Sequence, residues 1–278
     1  MSRQPIVVAN WKMNKLPSEA EGYIQEVAPK LAKYPNVDTV LAGQDVLLNA
    51  MVSAAKGTSV CIGAENVYWE DRGAYTGETS PAALADLGIQ VVIIGHSERR
   101  NYFRETDEMV NLKTLAALRN GLMPIIAIDE AVQLESENDH AHWIVNQVVE
   151  SLKGVAIADL GRVMLAYEPT AAIGSGQAMG PEIAQKSLRI IRQTVADMFG
   201  QPAADQMRIL YGGSVKPTNA YELLAQPDID GVLVGDAALD AMTFIELVSL
   251  ADQAKRSLQK EAWNIQISLR IDSWVVRT

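Results

Sequence analysis

The run Gln90-Val-Val-Ile-Ile-Gly-His-Ser-Glu-Arg-Arg100 changes character at Gly95. Before it stand Val91 to Ile94, all β-branched; after it comes a polar, charged stretch. A strand that is apolar at every position has to be covered on both faces, the condition inside a parallel sheet flanked by helices. The same kind of run recurs along the chain, which predicts strands at Ile6–Asn10, Val37–Ala42, Val60–Ala64, Gln90–Ile94, Met123–Ile128, Val163–Tyr167, Arg208–Tyr211 and Gly231–Gly235. Longer segments of helical periodicity separate them: Pro17–Lys33, Val46–Ala55, Pro81–Leu87, Thr106–Asn120, His140–Lys153, Pro181–Phe199, Thr218–Ala225 and Asp240–Leu258. Pro17, Pro81 and Pro181 stand at first helical positions, where the missing N–H has no intrahelical partner to lose.

Repeated βα pairs of this length predict α/β architecture, a single (β/α)8 barrel over residues 1–259, with an open doubly wound sheet as the alternative. No Ser/Gly-rich or Pro-rich linker divides the chain. Residues 260–278 form a C-terminal extension. Within it Ile265, Ile267, Leu269 and Ile271 alternate with Gln266, Ser268, Arg270 and Asp272, a strand period. A strand there needs an edge to pair with, on the barrel or on a partner chain; the other reading is a frayed tail.

Composition narrows the function. Hydrophobic residues at 48% and charged residues at 21% supply a buried core and exclude a disordered chain. A net charge of -10 disfavours nucleic acid, and no basic patch offsets it. A small anion remains acceptable, provided its site is built from local cations and helix-start N–H groups. Cys61 is the one cysteine, which excludes an internal disulfide and is expected to be a buried structural thiol. The N-terminus lacks a secretory pattern and no stretch is apolar enough to span a membrane, so the cytoplasm is the expected compartment.

In a barrel, function sits where strands end. Asn10-Trp-Lys12, Gly95-His96-Ser97-Glu98-Arg99, Tyr167-Glu168-Pro169 and Tyr211-Gly212-Gly213-Ser214 each follow a predicted strand. Glu168, kept out of a helix by Pro169, is a candidate carbon base whose proton affinity rises if apolar groups close over it; the bland reading is a helix cap or an ion pair. His96 is placed to meet helix-start N–H groups, which favour a neutral imidazole able to donate to a carbonyl; a structural hydrogen-bonding role is the alternative. Lys12 is a candidate for holding phosphate and oxyanion, with Asn10 orienting it and Glu98 fixing the ammonium, against a solvated loop lysine. Glycines after strands six, seven and eight (Gly174 and Gly176, Gly212 and Gly213, Gly235) fit a phosphate cradle. Arg99 and Arg100 are expected to anchor their loop. His140 and His142, two residues apart on a helix, face different ways, so no metal is expected.

In order, ANWKMN (9–14), GAYTGE (73–78), GHSERR (95–100), YEP (167–169), AIGSG (172–176) and YGGSV (211–215) resemble the signature segments of triosephosphate isomerases, from about Ile6 to Leu258. The resemblance implies interconversion of glyceraldehyde 3-phosphate and dihydroxyacetone phosphate without metal or cofactor. It implies Lys12 and His96 as electrophiles, Glu168 as base, and Asn10 and Glu98 in support. It implies a lid at Pro169, Thr170, Ala171, Ala172, Ile173, Gly174, Ser175 and Gly176, with Gly174, Ser214, Gly235 and the neighbouring Asp236 at the phosphate. Ile173 and Leu233 resemble the apolar clamp over the base. Thr76 is similar to the residue that reaches a neighbouring subunit, which implies a homodimer.

Three departures stand out. Ala171 replaces the usual lid Trp, Asp236 a common phosphate-site Gly, and Asp129 the usual Gly after strand five. They keep two other readings open: an isomerase of a tetrulose phosphate, and a sugar-phosphate-binding paralogue without turnover.

Overall fold

A computed structural model describes residues 3–130, 137–169 and 179–275, with side chains beyond 260 and at 137 and 138 left out. The strands β1 (Ile6–Asn10), β2 (Asp38–Gly43), β3 (Val60–Ala64), β4 (Val91–Ile94), β5 (Met123–Asp129), β6 (Met164–Glu168), β7 (Arg208–Tyr211) and β8 (Gly231–Val234) are parallel and pair in sequence order, and β8 closes on β1. Closure excludes the open sheet. Around it lie α1 (Pro17–Leu31), α2 (Asp45–Ala55), α3 (Pro81–Leu87), α4 (Ser97–Phe103), α5 (Asp107–Arg119), α6 (Glu137–Ser151), α7 (Pro181–Phe199), α8 (Gln201–Gln206), α9 (Pro217–Leu224) and α10 (Ala241–Val275). The short α4 and α8 are additions to the predicted pattern.

Strand parity sorts the core into two. Ile6, Val8, Val40, Ala42, Val91, Ile93, Ile125, Met164, Ala166, Leu210 and Leu233 fill the barrel interior. The intervening residues, among them Val7, Ala9, Leu41, Val92, Ile94, Ile126, Leu165 and Ile209, face the helices. Strands apolar on both sides follow directly from this sandwiching.

The same parity, carried one step past the interior apolar layer, reaches Asn10, Gln44, Glu65, Gly95, Asp129, Glu168, Gly212 and Gly235. The barrel's top layer is therefore polar or lacks side chains.

The C-terminal strand expectation is corrected: α10 runs through Val275, so residues 265–271 are helical. The closed barrel explains it, because every strand already has two neighbours and no edge remains to accept another. Cys61, on β3, is half-buried rather than fully buried, with its thiol pKa pushed up by burial.

Candidate active site

A cavity of about 640 Å³ opens at the C-terminal ends of the strands, and its lining includes Asn10, Lys12, His96, Glu98 and Glu168. Five candidates from three separate stretches of the chain meet there. Ser214, Leu233, Gly235 and Asp236 line the same cavity, so the proposed phosphate segment and the base face one another. Gly174 and the lid from Thr170 to Gly176 lie outside the described residues; Pro169 alone is seen, beside Gly213.

Lys12 has φ 55, a left-handed backbone that side-chain-bearing residues rarely adopt and that costs about 1–3 kcal/mol. Asn10 holds the turn by accepting the Lys12 backbone N–H on Oδ1 at 3.3 Å. The ammonium Nζ donates to Glu98 Oε1 at 2.6 Å. Lys12 is thus fixed at both its backbone and its tip.

His96 caps α4: its Nδ1 accepts the Glu98 backbone N–H at 3.2 Å. Its Nε2 lies 2.9 Å from Glu168 Oε1, and Glu168 Oε2 accepts the Ser97 N–H at 2.8 Å. Burial lowers the His96 pKa, yet the Glu168 and Glu98 carboxylates pull it upward overall. That pull acts chiefly on a proton at Nε2, which the neutral ring already carries. A second proton belongs on Nδ1, where the Glu98 N–H points. The Glu98 carboxylate stands 3.7 Å from Nδ1, too far to hold that proton by a hydrogen bond. A ring that accepts the Glu98 N–H on Nδ1 is the neutral tautomer, a state that the neighbouring carboxylates oppose.

Glu168 departs from expectation. Its burial raises its pKa, but the His96 ring and the Ser97 N–H outweigh burial and hold it below the usual carboxylate range. The sequence showed that a carboxylate would be shielded, not that a backbone N–H would be aimed at it. Its Oε1, though 2.9 Å from Nε2, has no aligned hydrogen-bond donor among the described residues. The carboxylate is retracted and incompletely satisfied, an arrangement it can leave at modest cost.

Gly212 and Gly213 serve close approach. A Cβ on Gly212 would sit 3.1 Å from Glu168 Cγ, and one on Gly213 would strike the Tyr211 hydroxyl and lie 2.9 Å from Pro169 Cγ. Side chains there would push the base and the start of the lid segment.

Neighbouring groups complete the scaffold. Arg99 pairs with Glu105 at 2.6 Å; Arg100 donates to the Gly95 carbonyl at 2.8 Å and pairs with Asp107 at 2.6 Å, fixing the loop that carries His96. His140 binds Glu130 and Ser187, while His142 is exposed on α6. Among the described residues no group of three His, Cys, Asp or Glu side chains could hold a metal.

The triosephosphate isomerase family model matches residues 5–251. The chain belongs to the triosephosphate isomerase family. It is 47% identical over 247 residues to the triosephosphate isomerase of Lactiplantibacillus plantarum, covering 89% of this chain and 98% of that one. The triosephosphate isomerases of Lactobacillus delbrueckii subsp. lactis and Lactobacillus helveticus are 43% and 44% identical over 252 residues, each covering 91% of this chain and 100% of the relative. The family barrel is the closed eight-stranded one described above.

A second cavity, of about 350 Å³, adjoins the first and is lined by Lys12, Met13, Asp45, Glu65, Thr79 and Phe103 among others. Sequence reading passed over Glu65, because its shielding comes from segments far along the chain. Burial, outweighing a hydrogen bond from the Lys12 backbone, lifts its pKa to about 8, and its Oε1 has no hydrogen-bond partner among the described residues. The native state therefore keeps a proton that the unfolded chain releases near 4.5. Between those values the native state binds more protons, so this group's contribution to stability declines as pH rises. Relative to wild type, Glu65→Gln gains stability from pH 5.5 to pH 8.5, read as urea midpoints; an offset that stays constant with pH excludes this role.

Proposed function

We propose that the chain interconverts glyceraldehyde 3-phosphate and dihydroxyacetone phosphate by proton transfer through an enediolate. The observation that carries this is the convergence of Glu168, His96 and Lys12 on one cavity at the barrel mouth. Glu168 takes the proton from carbon and returns it to the neighbouring carbon; His96 and Lys12 hold the oxygens on which negative charge develops. The retracted contacts give a sequence. Substrate draws Glu168 off Ser97 and His96, which removes the groups that lower its proton affinity and leaves burial, which raises it. The same movement takes the carboxylate away from His96 Nε2, which then faces a substrate oxygen.

Backbone N–H groups at Gly212–Ser214 and Gly235, with Gly174, form the proposed phosphate cradle. Asp236 sits at the cavity rim, exposed, where water screens its charge from a bound anion. Relatives named triosephosphate isomerase match nearly end to end, which supports the triose reading and lends none to the tetrulose or binding-only alternatives. The purified chain is expected to turn over glyceraldehyde 3-phosphate at a higher kcat/KM than a tetrulose phosphate in a coupled assay. Absence of triose turnover ends the proposal.

A homodimer fits the surface. Met13, Tyr102 and Phe103 are 87%, 76% and 65% exposed, and Met13 and Phe103 line the second cavity with Gly77, which follows the exposed Thr76. Large apolar side chains left in water mark a contact face. Light scattering on eluting protein is expected to give twice the chain mass, and Thr76→Arg to shift it towards one chain mass with loss of activity. A wild type at one chain mass refutes the dimer. Among the described residues no helix is long and apolar enough to cross a membrane, and glycolysis in the cytoplasm is the setting we propose.

A further inference from the structure

Asp129 shares the barrel's top layer with Glu168. The two are Cα partners across β5 and β6, and in parallel strands such partners point to the same face. Asp129 is 7% exposed.

The carboxylate is held in place. Oδ1 accepts from Gln147 Nε2 at 2.6 Å, and Gln147 Oε1 accepts the Asp129 backbone N–H at 3.1 Å. Trp143 donates to the Asp129 carbonyl at 3.0 Å. Arg100 Nε stands 3.9 Å from Oδ1 while donating to the Gly95 carbonyl at 2.8 Å, so one guanidinium spans the strand of Asp129 and the loop of His96. Burial lifts the Asp129 pKa overall, while that cation, drawn off partly by Asp107, and the Gln147 amide favour its ionised form. Facing Glu168 are His96, Ser97 and, across the cavity, Lys12; facing Asp129 are Arg100, Asp107, Gln147 and Glu168 itself.

We infer that Asp129 is a positioning residue for the base: its carboxylate, fixed beside Glu168 in the mouth layer, opposes a second negative charge there and makes Glu168 a stronger base. The inference rests on Glu168 acting as the base. Two like charges sharing a low-dielectric site each resist ionisation, and the effect grows once Glu168 gives up its bond to Ser97.

Asp129→Asn removes the charge and keeps an acceptor for Gln147. Asp129→Gly removes charge and side chain together, and provides a second route if the Asn variant folds poorly. In both, the acidic limb of kcat against pH, which reports the base in the substrate complex, is expected to move to lower pH by roughly one unit. At the optimum, kcat falls about threefold and KM changes less, since a weaker base is felt in proton transfer rather than in binding. Substrate phosphate titrates alike in every variant, so the difference belongs to the enzyme. A limb that stays in place, or moves to higher pH, overturns the inference, even if thermal stability drops. An inactive wild type sinks the proposed function together with it; an active wild type whose limb ignores both substitutions sinks this inference alone.

Discussion

Replacing Glu168 by Gln is expected to lower kcat about 10³- to 10⁴-fold while KM changes by no more than about threefold. Gln preserves the volume and can accept the Ser97 N–H, so the 1% exposed site stays filled and the barrel mouth intact. What disappears is the ability to take a proton from carbon. Glu168→Asp tests position instead of chemistry. It keeps the carboxylate but draws it back by about one methylene, and misplacement by about 1 Å in a reacting pair costs on the order of 10²-fold. The order wild type, Asp, Gln in kcat, at nearly constant KM, separates a base from a binding group. Steady-state rates in both directions supply the measurement, and a Gln variant within tenfold of wild type removes Glu168 from the mechanism.

The barrel could be read from the sequence because burial on both faces leaves an unmistakable apolar run, as at Val91–Ile94, and because Pro17, Pro81 and Pro181 mark helix starts in the structure. Side-chain identity also revealed the pair Lys12 and Glu98. Three things were out of reach. The alternation at Ile265–Ile271 imitates a strand, and only the closed sheet shows that no edge awaits it. The Ser97 contact to Glu168 is made by a backbone N–H, which every residue but proline possesses and which carries no sequence signature. Glu65 and Asp129 are shielded by segments distant in the chain, so their raised proton affinities arise from packing, not from neighbouring letters.

Lys12→Met is expected to lower kcat/KM by about 10³-fold or more, with KM raised and kcat reduced together. The chain carries a net charge of -10, so a phosphorylated substrate approaches against the average field and depends on local cations. Among the described residues two lysines line the main cavity: Lys12, buried in part and clamped by Glu98, and Lys216, exposed at the rim. His96 adds a hydrogen-bond donor. Removal of Lys12 does more than subtract one attraction, because Glu98 at 2.6 Å loses its partner and turns a compensated carboxylate into a bare one beside the incoming anion. Lys216→Met supplies the contrast: an exposed cation steers through screened solvent, so its loss raises KM a few-fold, more at low salt than high, and leaves kcat nearly alone. Equal effects from the two lysines would mean that Lys12 acts only by its charge at a distance. A larger, salt-insensitive loss at Lys12, affecting kcat as well, places its ammonium on the oxyanion formed during proton transfer.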